Sequence, residues 1–311
     1  MRSLFSLVII SFLTIASDAF ATASKPKIIK PAEDPLSLSH AQAVGAVFAI
    51  ENRKASIGTG TLINERQILT AGHLFKNYLP KSIDKESGPV KIDISSRNVF
   101  WSNDNVLDLK QPPSVFYHAV SITVDAKFIN EFNTNLENPD QNDVKSDFAI
   151  LTLAAPVRGI APVSIPNPQM KIPAEGLLIG YGKDSQPGHR KKIAAQSLKG
   201  LTAMGEWGIV LTNLTRDMTN NPLLTSPEEN KELEMLMGKD PLDTNDTQIK
   251  RATQGDSGGP LLVADSQNQI LILGIMSANS QAFNAFASLV IKTPQGYIRS
   301  PKFEALLKAS Q

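Results

Sequence analysis

Short apolar runs punctuated by turn residues recur along most of the chain. Val44 to Ile50 is a continuous apolar run of strand length. Ile57 to Ile63 alternates small and apolar residues, Asn64-Glu65-Arg66 makes a turn and Gln67 to Ala71 resumes, a pattern that predicts a β-hairpin. Further strands are expected at Val90 to Ile94, Ser114 to Val124, Phe148 to Leu153, Gly176 to Ile179, Gly208 to Thr212, Leu261 to Val263, Ile270 to Ser277 and Ala287 to Ile291. Many short strands separated by Gly, Pro and Asn, with few helical periods, indicate an all-β barrel or sandwich. Two segments depart from this pattern: Pro227 to Gly238, a Glu-rich helical stretch led by Ser226, and Pro301 to Ala309, an amphipathic C-terminal helix within residues 301–311. The first reads as a solvated surface insertion, and the basic run His189-Arg190-Lys191-Lys192 reads the same way, as an exposed loop.

The N-terminus has a different grammar. Arg2 precedes the nearly all-apolar Leu4 to Ile15, and Ala19-Phe20-Ala21 or Ala21-Thr22-Ala23 offers a small-x-small cleavage site, so residues 1–23 are expected to be a secretory signal peptide. The apolar run falls short of the roughly 20 residues that a membrane span needs, so no stable membrane insertion is expected after its removal. Residues 24–41 begin rich in Lys, Pro and Ser without periodicity and read as an N-terminal arm or propeptide. The protein is accordingly expected to be secreted or periplasmic.

Composition narrows the function classes. With 311 residues, 41% of them hydrophobic, the chain is long enough to bury one large all-β domain or two ordinary ones. A formal net charge of +1 gives no basis for nucleic acid as a partner. The chain has no cysteine, although the compartments outside the cytosol permit disulfides. The fold must therefore rest on core burial alone, thiolate catalysis and cysteine metal sites are excluded, and a bacterial type of exported protein fits better than an animal one.

The candidate chemistry centres on Gln254-Gly255-Asp256-Ser257-Gly258-Gly259-Pro260, which runs directly into the apolar Leu261-Leu262-Val263. A serine among small, flexible residues can be presented at a tight turn, with the Gly255 and Ser257 N–H groups available to hold an oxyanion. Serine is a weak nucleophile, so this reading requires a histidine base and a carboxylate that orients it. Of the four histidines, His40, His73, His118 and His189, only His73 stands at the end of a strand-like run, Gln67 to Gly72. Asp147 opens the apolar Phe148 to Leu153 and is drawn inward with it; Asp143 and Asp125 compete, but neither leads into such a strand. Gly255 to Gly259 also matches the Gly-x-Ser-x-Gly of α/β-hydrolases, but that fold needs its histidine after the serine, and none follows Ser257.

These three segments, in the order His73, Asp147, Ser257, resemble the catalytic motifs of chymotrypsin-like (trypsin-family) serine proteases over roughly residues 42–300. The resemblance implies two six-stranded antiparallel β-barrels, with a boundary near residues 160–175, and catalysis in the cleft between them. It implies hydrolysis of protein or peptide substrates through an acyl-enzyme, with no metal or organic cofactor. Gly180-Tyr181-Gly182 resembles the start of the second barrel. By the same resemblance Arg251, Ser277 and Asn279 would bind substrate, with Arg251 at the base of the primary pocket and Asn279 in place of a glycine at its entrance. Asp256 would pair with the amine of Ile28 after cleavage following Lys27. The chain departs from the family in its empty disulfide positions, with Leu74 where many members carry cysteine, and in long insertions before Asp147 and between Gly182 and Arg251. The competing reading is a non-catalytic secreted binding protein on the same scaffold, against which all three catalytic positions and the oxyanion glycine are intact.

Overall fold

The structure is a computed structural model that describes residues 38–51, 54–104, 106–107, 113–134, 146–166, 175–183, 189–204, 207–212, 252–265, 269–279, 284–293 and 296–311. The expected signal peptide, most of the expected arm and the Glu-rich stretch 227–238 lie outside these residues. The short helix α1 (Leu38–Gln42) leads into the first set of strands, β1 (Val44–Glu51), β2 (Lys54–Asn64), β3 (Gln67–Thr70), β4 (Pro89–Asp93), β5 (Asn98–Ser102), β6 (Val106–Leu107), β7 (Tyr117–Asp125) and β8 (Ala149–Leu153), with α2 (Ala126–Thr134) after β7. Antiparallel pairing runs from β1 to β2, β3, β8, β7 and β5 and back to β1, so six strands close on themselves. A seventh, β4, adds to the edge of β7 that also carries β5.

The second set comprises β9 (Glu175–Gly180), β10 (His189–Arg190), β11 (Lys192–Met204), β12 (Trp207–Thr212), β13 (Pro260–Ala264), β14 (Ile270–Asn279) and β15 (Asn284–Ser288), followed by the hairpin β16 (Val290–Thr293) and β17 (Gly296–Arg299). Six of these close a barrel in the order β11-β12-β15-β14-β13-β9, while β10 pairs with β6 of the first half. The protein is thus all-β with two antiparallel barrels, and it ends in α3 (Pro301–Ser310). Apolar side chains fill each barrel, and Ile179, Leu262, Ile272 and Ile275 of the second join the core that Leu62, Leu69, Phe75 and Ile150 form in the first.

The hydrophobic pattern located most strands and missed β5 and β11 among others. β11 buries Gln196, which accepts a hydrogen bond from Thr212 Oγ1 at 2.7 Å, so alternation is broken where the barrel is satisfied by amide and hydroxyl. β5 rests on the fully buried Trp101, whose Nε1–H reaches Gly60 O at 3.1 Å. The run Ala287 to Ile291, expected as one strand, is divided between β15 and β16 at Leu289. α2 is started by Asp125, whose Oδ1 accepts the Lys127 N–H at 2.8 Å as an N-cap does. That role, together with a bond from Gly88 N–H at 3.0 Å, accounts for the buried Asp125 carboxylate without any catalytic function.

α3 has the expected amphipathic form, with Ser300 Oγ capping the Phe303 N–H at 3.3 Å and Pro301 in the first turn. It packs on β4, β7 and β8. Phe303 packs on Phe148 in a tilted contact with ring centroids 5.6 Å apart, and Thr152 Oγ1 donates to Ser310 O at 3.1 Å. The C-terminal helix therefore clamps the residue next to Asp147.

Candidate active site

β3 delivers the chain to Ala71 and a tight 3-10 turn, Gly72–Phe75, that carries His73. Asp147 sits just ahead of β8, which pairs with β3, and the buried Phe148 and Ala149 that follow draw it inward. The two residues meet twice: the His73 N–H donates to Asp147 Oδ1 at 2.8 Å, and His73 Nδ1 lies 2.7 Å from Asp147 Oδ2. Ser277, on β14 of the second barrel, donates its hydroxyl to the same Oδ2 at 2.5 Å. The Asp147 side chain is 5% exposed and that of His73 is 28% exposed, so the carboxylate is buried while the imidazole reaches solvent. With the Nδ1 proton directed at the carboxylate, the Nε2 of neutral His73 is left as an acceptor. Burial pulls the His73 pKa down, but the charge of Asp147 and its hydrogen bond outweigh burial and the weaker opposition of Lys76, and the net shift is upward from 6.5.

Ser257 lies on a turn whose glycines adopt a left-handed backbone, φ +106° at Gly255 and +80° at Gly258. A side chain at Gly258 would overlap Thr59 O and Thr70 Oγ1, so the turn can approach β2 and β3 only with glycine there. The approach is held by hydrogen bonds: Thr59 N–H to Ser257 O at 2.7 Å, and Gly258 N–H to Met276 O at 2.7 Å. The partly exposed serine is thereby placed between the strand beside β3, which leads to His73, and the residue preceding Ser277, which binds Asp147.

The peptide planes of the turn are fixed as well. Lys183 N–H donates to Gln254 O at 2.8 Å, and Gly259 N–H to Asp256 O at 2.8 Å. All peptide bonds described are trans, so each carbonyl is opposed by the next residue's N–H. The Gly255 and Ser257 N–H groups accordingly point away from these partners, and neither is engaged by another described residue. This leaves two donors available beside the serine for an oxygen that gains charge.

Asp256 is buried beneath the turn. Its Oδ1 accepts Gly182 N–H at 2.7 Å, and its Oδ2 accepts Thr253 N–H at 2.8 Å and Thr253 Oγ1 at 3.2 Å. Burial raises its pKa above the usual carboxylate range; these bonds and the charge of Lys192 act against the rise. The basic run 189–192 is not the solvated loop its composition suggests. His189 is buried with Nδ1 2.8 Å from Tyr181 O; Lys191 Nζ donates to Ala41 O at 2.8 Å and Asn103 O at 3.2 Å; Lys192 Nζ donates to Gly182 O at 3.0 Å and Lys183 O at 3.1 Å. The carbonyls of the turn beneath Asp256 and of the inter-barrel junction need donors, and this run supplies them. Burial pulls the Lys191 ammonium down to about 8, with Asp104 opposing.

The other expected site residues fall into two groups. Ser277 lies on β14 with its hydroxyl on Asp147, and Asn279 ends that strand opposite Asn284. Arg251 and Ile28, like the competing Asp143, lie outside the described residues. Sequence reasoning missed the Ser277–Asp147 bond, because nothing in Ile275 to Asn279 signals which way that hydroxyl points. It also missed Thr59, whose apolar-strand context carries no mark of polar work. No group of three or more His, Cys, Asp or Glu suited to a metal ion occurs among the described residues.

The family model described as Trypsin matches residues 39–304. No curated protein matches the chain.

The His73–Asp147 pair predicts a specific response to charge removal. In Asp147→Asn the raising influence is lost while burial and Lys76 remain, so the His73 pKa is expected to fall below 6.5. An NMR titration of the His73 Cε1–H resonance checks this, and a pKa unchanged from the parent would refute it. The raised value in the parent also means that the pair's stabilisation is full at pH below about 6.5 and is lost as pH rises through the folded His73 pKa.

Proposed function

The chain belongs to the trypsin family, and from that premise we propose that it is a secreted or periplasmic serine endopeptidase using His73, Asp147 and Ser257. His73 Nε2 takes the Ser257 hydroxyl proton as Oγ attacks a peptide carbonyl carbon, and the Gly255 and Ser257 N–H groups receive the resulting oxyanion. The imidazolium then gives that proton to the leaving amine, the C–N bond breaks and an acyl-enzyme remains. Water then attacks the ester carbonyl as His73 takes its proton, the acyl C–O bond to Ser257 breaks with that proton passing to the serine oxygen, and the acid product is released. Asp147 holds the imidazole tautomer throughout and stays ionised. The observation that carries this reading is the pair of hydrogen bonds between His73 and Asp147, 2.8 and 2.7 Å, beside a serine turn with two N–H donors left over. Export is supported by the signal-like N-terminus, and no helix among the described residues is long and apolar enough to cross a membrane.

A fluorophosphonate probe is expected to label the purified protein, and Ser257→Ala to abolish labelling. His73→Ala should lower turnover of an unfolded protein substrate by about a thousandfold or more while the fold is retained. Because protonation removes the acceptor, activity should decline as pH falls through a His73 pKa above 6.5. A folded parent that neither labels nor hydrolyses would leave the barrels as a binding scaffold.

Primary specificity is proposed to be acidic or at least non-basic, on the resemblance alone, which would put an Arg251 guanidinium at the base of the primary pocket and Asn279 at its entrance. Efficient cleavage after Lys or Arg in a peptide library overturns that assignment.

Activation has two routes. The resemblance offers the Ile28 amine, freed after Lys27, as the partner of Asp256. The described residues already give the Asp256 carboxylate three donors and the field of Lys192, which favours a turn ordered without that amine. A Lys27→Gln protein whose N-terminus remains upstream of Ile28 by mass spectrometry is therefore expected to keep its activity. Activity lost in this variant would assign the step to the Ile28 amine.

A further inference from the structure

Thr59 is fully buried in β2, a strand of the first barrel, yet its polar atoms serve the serine turn of the second. Its N–H donates to Ser257 O at 2.7 Å. Its hydroxyl donates to Gly255 O at 2.8 Å and accepts the Tyr181 N–H at 3.0 Å. Its carbonyl accepts Thr70 Oγ1 at 2.7 Å, at the end of the strand that leads to His73.

The hydroxyl occupies a position that the backbone bonds alone do not cover. Gly255 joins two peptide planes. The one before it is held by Lys183 N–H on Gln254 O; the one after it is held by Asp256 N–H on Thr253 O at 2.9 Å and by the Thr59 hydroxyl on Gly255 O. Glycine at φ +106° has neighbouring conformations open to it that other residues lack, so without the hydroxyl the plane after it is held at its N–H end alone and its carbonyl end is left without a donor. A buried carbonyl that loses its donor seeks another, and its rotation would turn the adjoining plane that carries the Gly255 N–H. By accepting from Tyr181, the same hydroxyl also grips the segment whose Lys183 fixes the upstream plane.

We infer that the Thr59 hydroxyl is a positioning residue for the hydrolysis proposed above, holding the oxyanion-donating peptide of Gly255 in register with the barrel that carries His73. The inference rests on that proposed function. It assigns to Thr59 an effect on the charged, tetrahedral stage of the reaction and little effect on substrate docking, because the hydroxyl touches the turn and not the cleft.

The test uses the full chain, with enzyme concentration set by fluorophosphonate titration. Thr59→Val keeps shape and β-branching but removes the hydroxyl. It is expected to lower kcat by about tenfold to a hundredfold, short of the hundred- to thousandfold that loss of a whole oxyanion donor costs. KM should stay near the parent value, and a peptide boronic acid, which forms a tetrahedral adduct on the serine, should lose affinity in step with kcat. Thr59→Ser keeps the hydroxyl and should restore kcat; Thr59→Ala should not. Val leaves Gly255 O and Tyr181 N–H unpaired in the interior, so should it not fold, the Ser and Ala variants decide the matter. A parent-like kcat in Thr59→Val, or equal impairment of the Ser and Ala variants, overturns the inference while parent labelling leaves the protease reading standing. A parent that does not label overturns both.

Discussion

A buried carboxylate must find donors, and Asp147 finds them in both barrels. Taking an ionised carboxylate out of water is costly unless hydrogen bonds replace its hydration. Here one oxygen takes the His73 N–H, and the other takes His73 Nδ1 and the Ser277 hydroxyl. His73 comes from the first barrel and Ser277 from the second, so the state in which Asp147 is satisfied is also the state in which the barrels are correctly seated. The geometry that positions His73 and the geometry that seats the two barrels are one arrangement. The helix α3 contributes from behind, since Phe303 packs on Phe148, the residue that follows the carboxylate.

The second buried carboxylate shows the contrast. Asp256 is bound by two backbone N–H groups and a threonine hydroxyl, none of which titrates near neutrality, with the Lys192 ammonium acting through its field. Asp147 instead binds a histidine whose side chain is partly exposed. Two aspartates of similar burial thus have different capacities: one tunes the His73 imidazole, and the other tethers the turn that follows Thr253 to the segment 181–183. What separates them is the donor set, and a donor set is a tertiary property.

That distinction also marks what was legible in the sequence. His73, Asp147 and Ser257 each stand at the end or entry of a strongly apolar strand, and the resemblance of those three segments to one family carried the fold of two barrels. The barrels place the His73 and Asp147 strands, β3 and β8, side by side. What could not be read were side chains whose work depends on where a neighbour's backbone stops pairing. The run His189 to Lys192 looked like solvated charge, but the carbonyls of Tyr181, Gly182 and Lys183 are bonded to it. β11 escaped notice because it buries a glutamine, and β5 because its main anchor is one tryptophan. Thr59 is the extreme case, a hydroxyl in an apolar strand whose partners lie more than a hundred residues away in sequence.

The absence of cysteine shifts the burden of cross-linking onto such contacts. Leu74, where many members of the family carry cysteine, lies directly against Gly58, leaving no room for a side chain there, and so joins the histidine turn to β2 by packing. The next residue of the same strand, Thr59, joins β2 to the serine turn and to Tyr181, and Gly60 offers its carbonyl to Trp101. Three consecutive residues of β2 thereby hold the His73 turn, the Ser257 turn and the wall of the first barrel in one frame. Each hydrogen bond contributes only about 1 kcal/mol net, so no single one substitutes for a covalent bridge. Their effect comes from being buried together: a displacement that breaks one leaves several polar groups without partners in the interior, and that shared cost resists the motion a disulfide would otherwise forbid.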